Sequence, residues 1–141
     1  MPLGHAIAAS ASALDAQRAR IEVAVSNIAN AESTRGPDGQ PYRRRDVVLQ
    51  SSPIEPFDGA LGRAEAIGVT VTDIVEDQAE FRRRYEPGHP DADAEGFVAM
   101  PNVDVPEEMV DMLGATRAYQ ANLTAINLIR DTIQRALELG R

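Results

Sequence analysis

The residues with the most obvious chemical potential lie between positions 89 and 96. Asp91-Ala92-Asp93-Ala94-Glu95-Gly96 sets oxygen ligands at alternate positions and a glycine where a chain turns sharply, which is how a calcium loop of the EF-hand kind begins. Such a loop closes with a bidentate Glu at its twelfth position, and counted from Asp91 that position is Asn102. A helix should lead in, whereas Pro87-Gly88-His89-Pro90 does. An acidic, solvated turn is the expected state, with no metal and no cofactor. His89 stands close enough to Asp91 in sequence to form half of an acid–base pair, but no nucleophile or oxyanion loop accompanies it. His5 lies far from His89, so the two lack zinc-ligand spacing.

Two basic runs, Arg43-Arg44-Arg45 and Arg82-Arg83-Arg84, interrupt an acidic chain. Alternate residues of a strand face opposite sides, so at most two of each three line one surface. They are read either as solvated strand faces or as ion pairs to acidic patches of neighbouring copies. Phosphate binding ranks third, because Glu80, Glu86 and Asp46 dilute the field.

Composition removes several classes of function. All 14 basic residues are Arg, which excludes Schiff-base chemistry, a lysine general base and a phosphate-loop lysine. The absence of Cys excludes disulfides, thiolate metal sites and cysteine nucleophiles. A net charge of -8 argues against nucleic acid. Aromatics at 4% make a dense central core hard to build, while abundant Ala suits close helix packing. No catalytic constellation and no small-molecule site is expected, so the chain reads as a non-enzyme.

The elements that must carry these groups are two long helices and a strand module. From Pro106 to Leu139 apolar or small residues fall at Met109, Met112, Thr116, Tyr119, Leu123, Ile126, Ile133 and Leu137, with one break at Arg130. The alternating spacing of three and four is a heptad seam on a helix roughly 50 Å long. Val110, Leu113 and Ile129 widen the stripe, so more than one neighbour is expected. Asp104 suits the N-cap, Pro106 the first turn, Glu107 and Glu108 the positive end of the helix dipole, and Gly140 the end. Leu3 to Ala31 reads as a second helix, with Ile7, Leu14, Ile21 and Ile28 seven apart and Leu3, Ala11, Ala24 and Val25 beside them. Ser10 and Gln17 weaken this seam. The two stripes either pack on each other within the chain, the commoner use of such a pattern, or form a joint stem with copies in neighbouring subunits; the two are compatible.

Ser26-Asn27-Ile28-Ala29-Asn30-Ala31 closes the first helix, and its two Asn, three apart, share one face where their amides reach backbone groups. Gly36-Pro37-Asp38-Gly39 marks a turn. Between the helices the period changes. Val47–Gln50, Ile67–Val75, Phe81–Tyr85 and Phe97–Met100 read as strands, Ser51–Gly62 as a flexible loop and Glu86–Pro90 as another. The expected fold is mainly α with a small β module: two long terminal helices form a coiled-coil stem, with a short antiparallel β-hairpin segment between them. The expected divisions are 1–34 and 104–141 for the stem and 35–103 for the module. No run is apolar and long enough to span a membrane, and the N-terminus lacks the pattern of a cleaved signal peptide.

These features resemble the bacterial flagellar rod and hook axial protein family. Ser26–Ala31 carries its Asn-x-x-Asn closure, and three further motifs follow in order: Gly36-Pro37-Asp38-Gly39-Gln40-Pro41-Tyr42-Arg43, then Tyr85-Glu86-Pro87-Gly88-His89-Pro90-Asp91-Ala92-Asp93, then Val98-Ala99-Met100-Pro101-Asn102-Val103-Asp104. The ending Arg135-Ala136-Leu137-Glu138-Leu139-Gly140-Arg141 narrows the likeness to basal-body rod members. Pro106, where an aliphatic residue is expected, and Arg130 in the last turns of the seam are the departures. The resemblance implies a structural subunit of the proximal rod, part of a drive shaft within the periplasm, whose terminal helices pack as an inner layer lining the export channel. It implies export from the cytoplasm, uncleaved, through the flagellar type III export apparatus. It also implies partners among copies of the chain and other proximal and distal rod subunits. A non-enzymatic coiled-coil adaptor is the alternative; it accounts for the seams but not for an ordered β module.

Overall fold

A computed structural model describes residues 3–54 and 66–140. In chain order its elements are α1 (Leu3–Ala29), β1 (Arg45–Ile54), β2 (Ala66–Glu76), β3 (Arg82–Tyr85), β4 (Phe97–Met100) and α2 (Val105–Leu139). The fold is mostly helical, with an N-terminal and a C-terminal helix and a small antiparallel strand segment between them. The strands form two two-stranded sheets, β1 with β2 and β3 with β4. Ser51–Ile54, read from sequence as the start of a loop, continues β1 instead. Pro53 is tolerated there because each strand of a two-stranded sheet has an outer edge that needs no N–H donor. The remainder of that expected loop, 55–62, lies outside the described residues.

The chain divides into two compact units. One gathers the described residues of Met1–Ala19, Val48–Asp73 and Gly114–Arg141, the other Arg20–Val47 and Ile74–Leu113. In the first, Ala16 and Ala115 are fully buried and Gly68 is buried. The β1–β2 sheet is held to α1 by a hydroxyl: the Val69 N–H donates to Ser12 Oγ at 3.1 Å, and Ser12 Oγ donates to the Ala9 carbonyl at 2.9 Å. Thr72 Oγ1 reaches across to the Val48 carbonyl at 3.2 Å.

The second unit is built around Val98, Met100, Pro101 and Val103, all buried, with Ala24 of α1. β3 and β4 run antiparallel, Arg82 opposite Met100 and Tyr85 opposite Phe97. Their connection contains the run that resembled half a calcium loop. Asp93 Oδ1 there accepts the N–H groups of Glu95 and Phe97 at 3.0 and 2.8 Å, while Gly96 takes φ +85°. A Cβ at Gly96 would meet a Tyr85 ring carbon at 2.9 Å and Pro87 Cβ at 3.1 Å. The acidic spacing thus encodes a self-bonded hairpin connection.

α1 buries a face other than its most apolar one, whereas α2 buries Glu108 and Ala115 on the side that Met112, Tyr119, Ile126 and Ile133 share. In α1 the buried positions are Ala16, Ala24 and Asn27, while Ile7, Leu14, Ile21 and Ile28 are half-buried and Leu3 and Val25 exposed. In α2 Glu108 and Ala115 are buried; Met112, Tyr119, Ile126 and Ile133 are half-buried; Met109, Leu123 and Leu137 are exposed. Small side chains let neighbouring backbones approach closely, so alanines take the tightest contacts within the chain and larger side chains flank them.

Candidate functional site

The second unit contains a buried polar junction organised by Asn27. Its side chain is fully buried, and its amide makes four hydrogen bonds. Oδ1 accepts from Tyr42 Oη at 2.9 Å and from the Arg45 N–H at 3.0 Å. Nδ2 donates to the Arg45 carbonyl at 2.8 Å and to Glu108 Oε2 at 2.9 Å. Two acceptances and two donations are the full capacity of a carboxamide. By bonding both backbone groups of Arg45, the amide behaves as a neighbouring strand would, and β1 begins at that residue.

Glu108 is 2% exposed, and its other oxygen, Oε1, accepts from Arg44 Nε at 2.5 Å. Arg44 also faces Asp46 at 3.6 Å and Asp111 at 3.8 Å. Burial pulls the guanidinium pKa down, but the hydrogen bond and charge of Glu108 outweigh it, and the net shift is upward. The Arg44 backbone is pinned as well: its N–H donates to Asn102 Oδ1 at 2.8 Å, and its carbonyl accepts from the Asp77 N–H at 2.8 Å. Asn102 Nδ2 in turn reaches the Asp77 carbonyl at 3.2 Å. Among the described residues no buried side-chain nitrogen or oxygen lacks a partner. With every group committed to another group of the chain, what this arrangement does is hold. It joins the end of α1, the start of β1, the Asn102 segment and the first turn of α2.

The motif residues read from sequence divide around this junction. Asn27 and Asn102 are within it, with Pro101 and Val103 buried near Asn102 in the chain. Ser26 Oγ lies 3.3 Å from Tyr42 Oη. Asn30 instead ties off the helix, donating to the Ser26 carbonyl at 2.8 Å and accepting from Ser33 Oγ at 3.3 Å. Ile28 and Ala31 are half-buried and Ala29 is exposed. Asp104 caps α2: Oδ1 accepts the Glu107 N–H at 3.4 Å, and Oδ2 meets Arg82 Nη2 at 3.0 Å. The Arg82 hydrogen bond, then the Glu107 N–H, hold its carboxyl below the usual range. The stripe residues of the two helices take no part in these hydrogen bonds.

Tyr42, Arg44 and Glu108 are members of the junction that sequence reasoning had placed elsewhere, in a motif, a basic run and a helix first turn. The signal for Arg44 was available in the alternation of Arg43-Arg44-Arg45: only the middle guanidinium turns to Glu108. The Arg82–Arg84 run pairs within the chain, with Asp104 at 3.0 Å, Asp93 at 2.9 Å and Glu86 at 2.9 Å. Asp91 is likewise committed, to Thr34 Oγ1 at 2.8 Å and to Arg35. Its N–H donates to His89 Nδ1 at 3.1 Å. Among the described residues no group of three or more His, Cys, Asp or Glu could hold a metal ion. No described helix is long and apolar enough to cross a membrane.

Comparison with known proteins finds matches at both ends of the chain. Residues 7–37 match the family model described as "Flagella basal body rod protein", and residues 94–139 match "Flagellar basal body rod FlgEFG protein C-terminal". These two stretches hold Asn27 and, opposite it, Asn102 and Glu108. The chain is 49% identical over 130 residues to the flagellar basal-body rod protein FlgC of Salmonella typhimurium, covering 92% of each chain. It is 46% identical over 147 residues to the protein of that name from Bacillus subtilis, covering 97% of each. With that of Borreliella burgdorferi it shares 38% identity over 153 residues, covering 99% of this chain and 98% of the relative. A likeness of that level across the whole length places the chain in the flagellar basal-body rod protein FlgC family.

Proposed function

We propose that the chain is a non-enzymatic subunit of the proximal rod that polymerises through its terminal helices with copies of itself and with other rod proteins. The observation that carries this reading is the apolar surface left on both helices. Leu3 and Val25 of α1 and Met109, Leu123 and Leu137 of α2 are each 45% exposed or more. Fully burying such a side chain is worth about 1.5–3 kcal/mol, of which the chain alone leaves roughly half unrealised. Repeating one head-to-tail contact whose rotation does not close builds a helical tube rather than a ring. In this reading residues 1–34 and 104–141 form the stem that lines the export channel, residues 35–103 pack outward, and several neighbours hold each subunit so that torque passes along the shaft. The subunit leaves the cytoplasm uncleaved through the type III export apparatus and works within the periplasm.

Leu123→Asp tests the reading. Leu123 is 45% exposed, so the substitution destabilises the free chain by about 1–2 kcal/mol. An unpaired carboxylate buried between subunits costs several kcal/mol. The variant is expected to be exported and folded, yet missing from isolated basal bodies. Normal incorporation and motility would refute the assignment of this face.

A further inference from the structure

The intrachain structure leaves capacity on two arginines. Alternation along the extended chain sends Arg44 to Glu108 and puts Arg43 and Arg45 on the opposite side. There both line a groove of about 630 Å³, whose walls include Pro41, Tyr42, Asp38 and Glu76. The Arg43 guanidinium carbon lies 4.3 Å from the centre of the Phe81 ring, and Nη1 donates to the Asp77 and Ala79 carbonyls at 3.3 Å each. These partners are a ring and two carbonyls, so the charge meets no carboxylate among them. Arg45 lies 5.7 Å from the Tyr42 ring and is 3.3 Å from Glu76 Oε1 through Nη2 alone. Its backbone is held on both sides by Asn27. A guanidinium has five N–H donors, and each of these uses one nitrogen. Arg43 is held in advance by the Phe81 ring and two carbonyls and Arg45 by Glu76, which lowers the entropic cost of binding an anion.

The geometry points to a head-to-tail contact in which Arg43 and Arg45 bind the Glu107 and Asp111 carboxylates on α2 of a second copy of this chain. Charge favours the pairing, since the chain carries a net -8 and three arginines face two carboxylates, Asp38 and Glu76, along the groove. Spacing favours it too. Residues two apart on a strand are about 6.6 Å apart, and residues four apart on a helix have Cβ atoms about 5–6 Å apart. Glu107 is exposed, and Asp111 is half exposed and 3.8 Å from its own Arg44. The inference rests on the rod-subunit reading, because it needs copies arrayed head to tail.

The chain has no cysteine, which makes pair cross-linking clean. Gln40→Cys at the groove and Glu107→Cys, introduced together, are treated with a short bismaleimide in isolated basal bodies. Covalent multimers of this chain that require both cysteines are expected. Equal yield from either single variant, no product, or a product carrying a different protein overturns the proposal. In a second arm, Arg43→Glu with Arg45→Glu should lower incorporation about tenfold or more. Adding Glu107→Arg and Asp111→Arg should restore most of it, because the pair is then reversed rather than removed. Unchanged incorporation in the first variant, or no recovery in the second, overturns the proposal. The unsubstituted chain is followed in the same preparations: its presence there keeps the rod-subunit reading whatever the charge arms show, and its absence sinks that reading instead.

Discussion

Glu108→Ala removes an acceptor that serves two donors at once. Breaking a buried ion pair by deleting one partner costs about 3–5 kcal/mol, because the other charge stays buried without compensation. Here the stranded Arg44 keeps 19% of its side chain exposed and retains Asp46 at 3.6 Å and Asp111 at 3.8 Å. That places the loss near the lower end, about 3 kcal/mol. Asn27 Nδ2 still has the Arg45 carbonyl, so its share is small. Glu108→Gln preserves shape and an acceptor but removes the charge, and should cost about 1–2 kcal/mol. Urea unfolding of the purified chain measures both. With no Trp in the chain, emission from its three tyrosines follows unfolding, and Tyr42, whose hydroxyl bonds Asn27, is the one at the junction. With a slope of about 1–3 kcal/mol per M, the midpoint for Glu108→Ala should fall by about 1 M or more. A fall below about 0.2 M, or equal falls for the Ala and Gln variants, would refute the claim that a charge-assisted bond holds this junction.

Other expectations follow from neighbouring contacts. Asn27→Asp replaces the two donors with a carboxylate facing Glu108 and the Arg45 carbonyl, so it should destabilise more than Asn30→Ala, whose lost bonds lie at a solvated helix end; thermal unfolding of the two variants ranks them. Gly96→Ala should cost about 2–3 kcal/mol, from the positive φ and the Tyr85 and Pro87 contacts, measurable as loss of amide protection across β3 and β4. Asp104 and Asp93 both have folded pKa values below the ordinary one. For Asp93 the Phe97 N–H is the main cause; burial opposes it, and Arg83 then adds to the lowering. A depressed carboxylate contributes stability that is present above about pH 4 and is lost as pH falls through the folded value. Protection factors of the Glu107 and Phe97 amides should therefore drop at acid pH, and Asp104→Asn and Asp93→Asn should flatten the respective profiles.

Periodicity carried most of the fold. The change from a heptad spacing to alternation located both helices and all four strands, and Asp104 with Pro106 placed the start of α2 to within a residue. It failed at Ser51–Ile54, because Ser-Ser-Pro has turn chemistry and only the pairing with β2 makes it strand. It gave no ranking by depth along α1. Large aliphatic side chains dominate any hydropathy pattern, whereas packing within the chain selected Ala16 and Ala24. The junction was half legible. Asn27 stood out as a polar residue at a helix end and Asn102 only as part of a motif, while Glu108 looked like an ordinary first-turn acid. Its burial depends on Arg44, 64 positions earlier, and on Asn27, 81 positions earlier, and no local pattern encodes such separations.

The saturation of Asn27 bears on how the chain can vary over time. An aspartate there repels Glu108, a leucine fills the volume and orphans four groups, and a glutamine carries the same amide on too long an arm. Position 27 therefore behaves as a discrete choice, with one acceptable letter. Leu123, facing outward, is graded: Met or Ile would serve there with small losses, and a neighbouring surface could drift in step with it. No partner can drift in step with Asn27, because two of its four bonds go to main-chain atoms of Arg45 that no substitution alters.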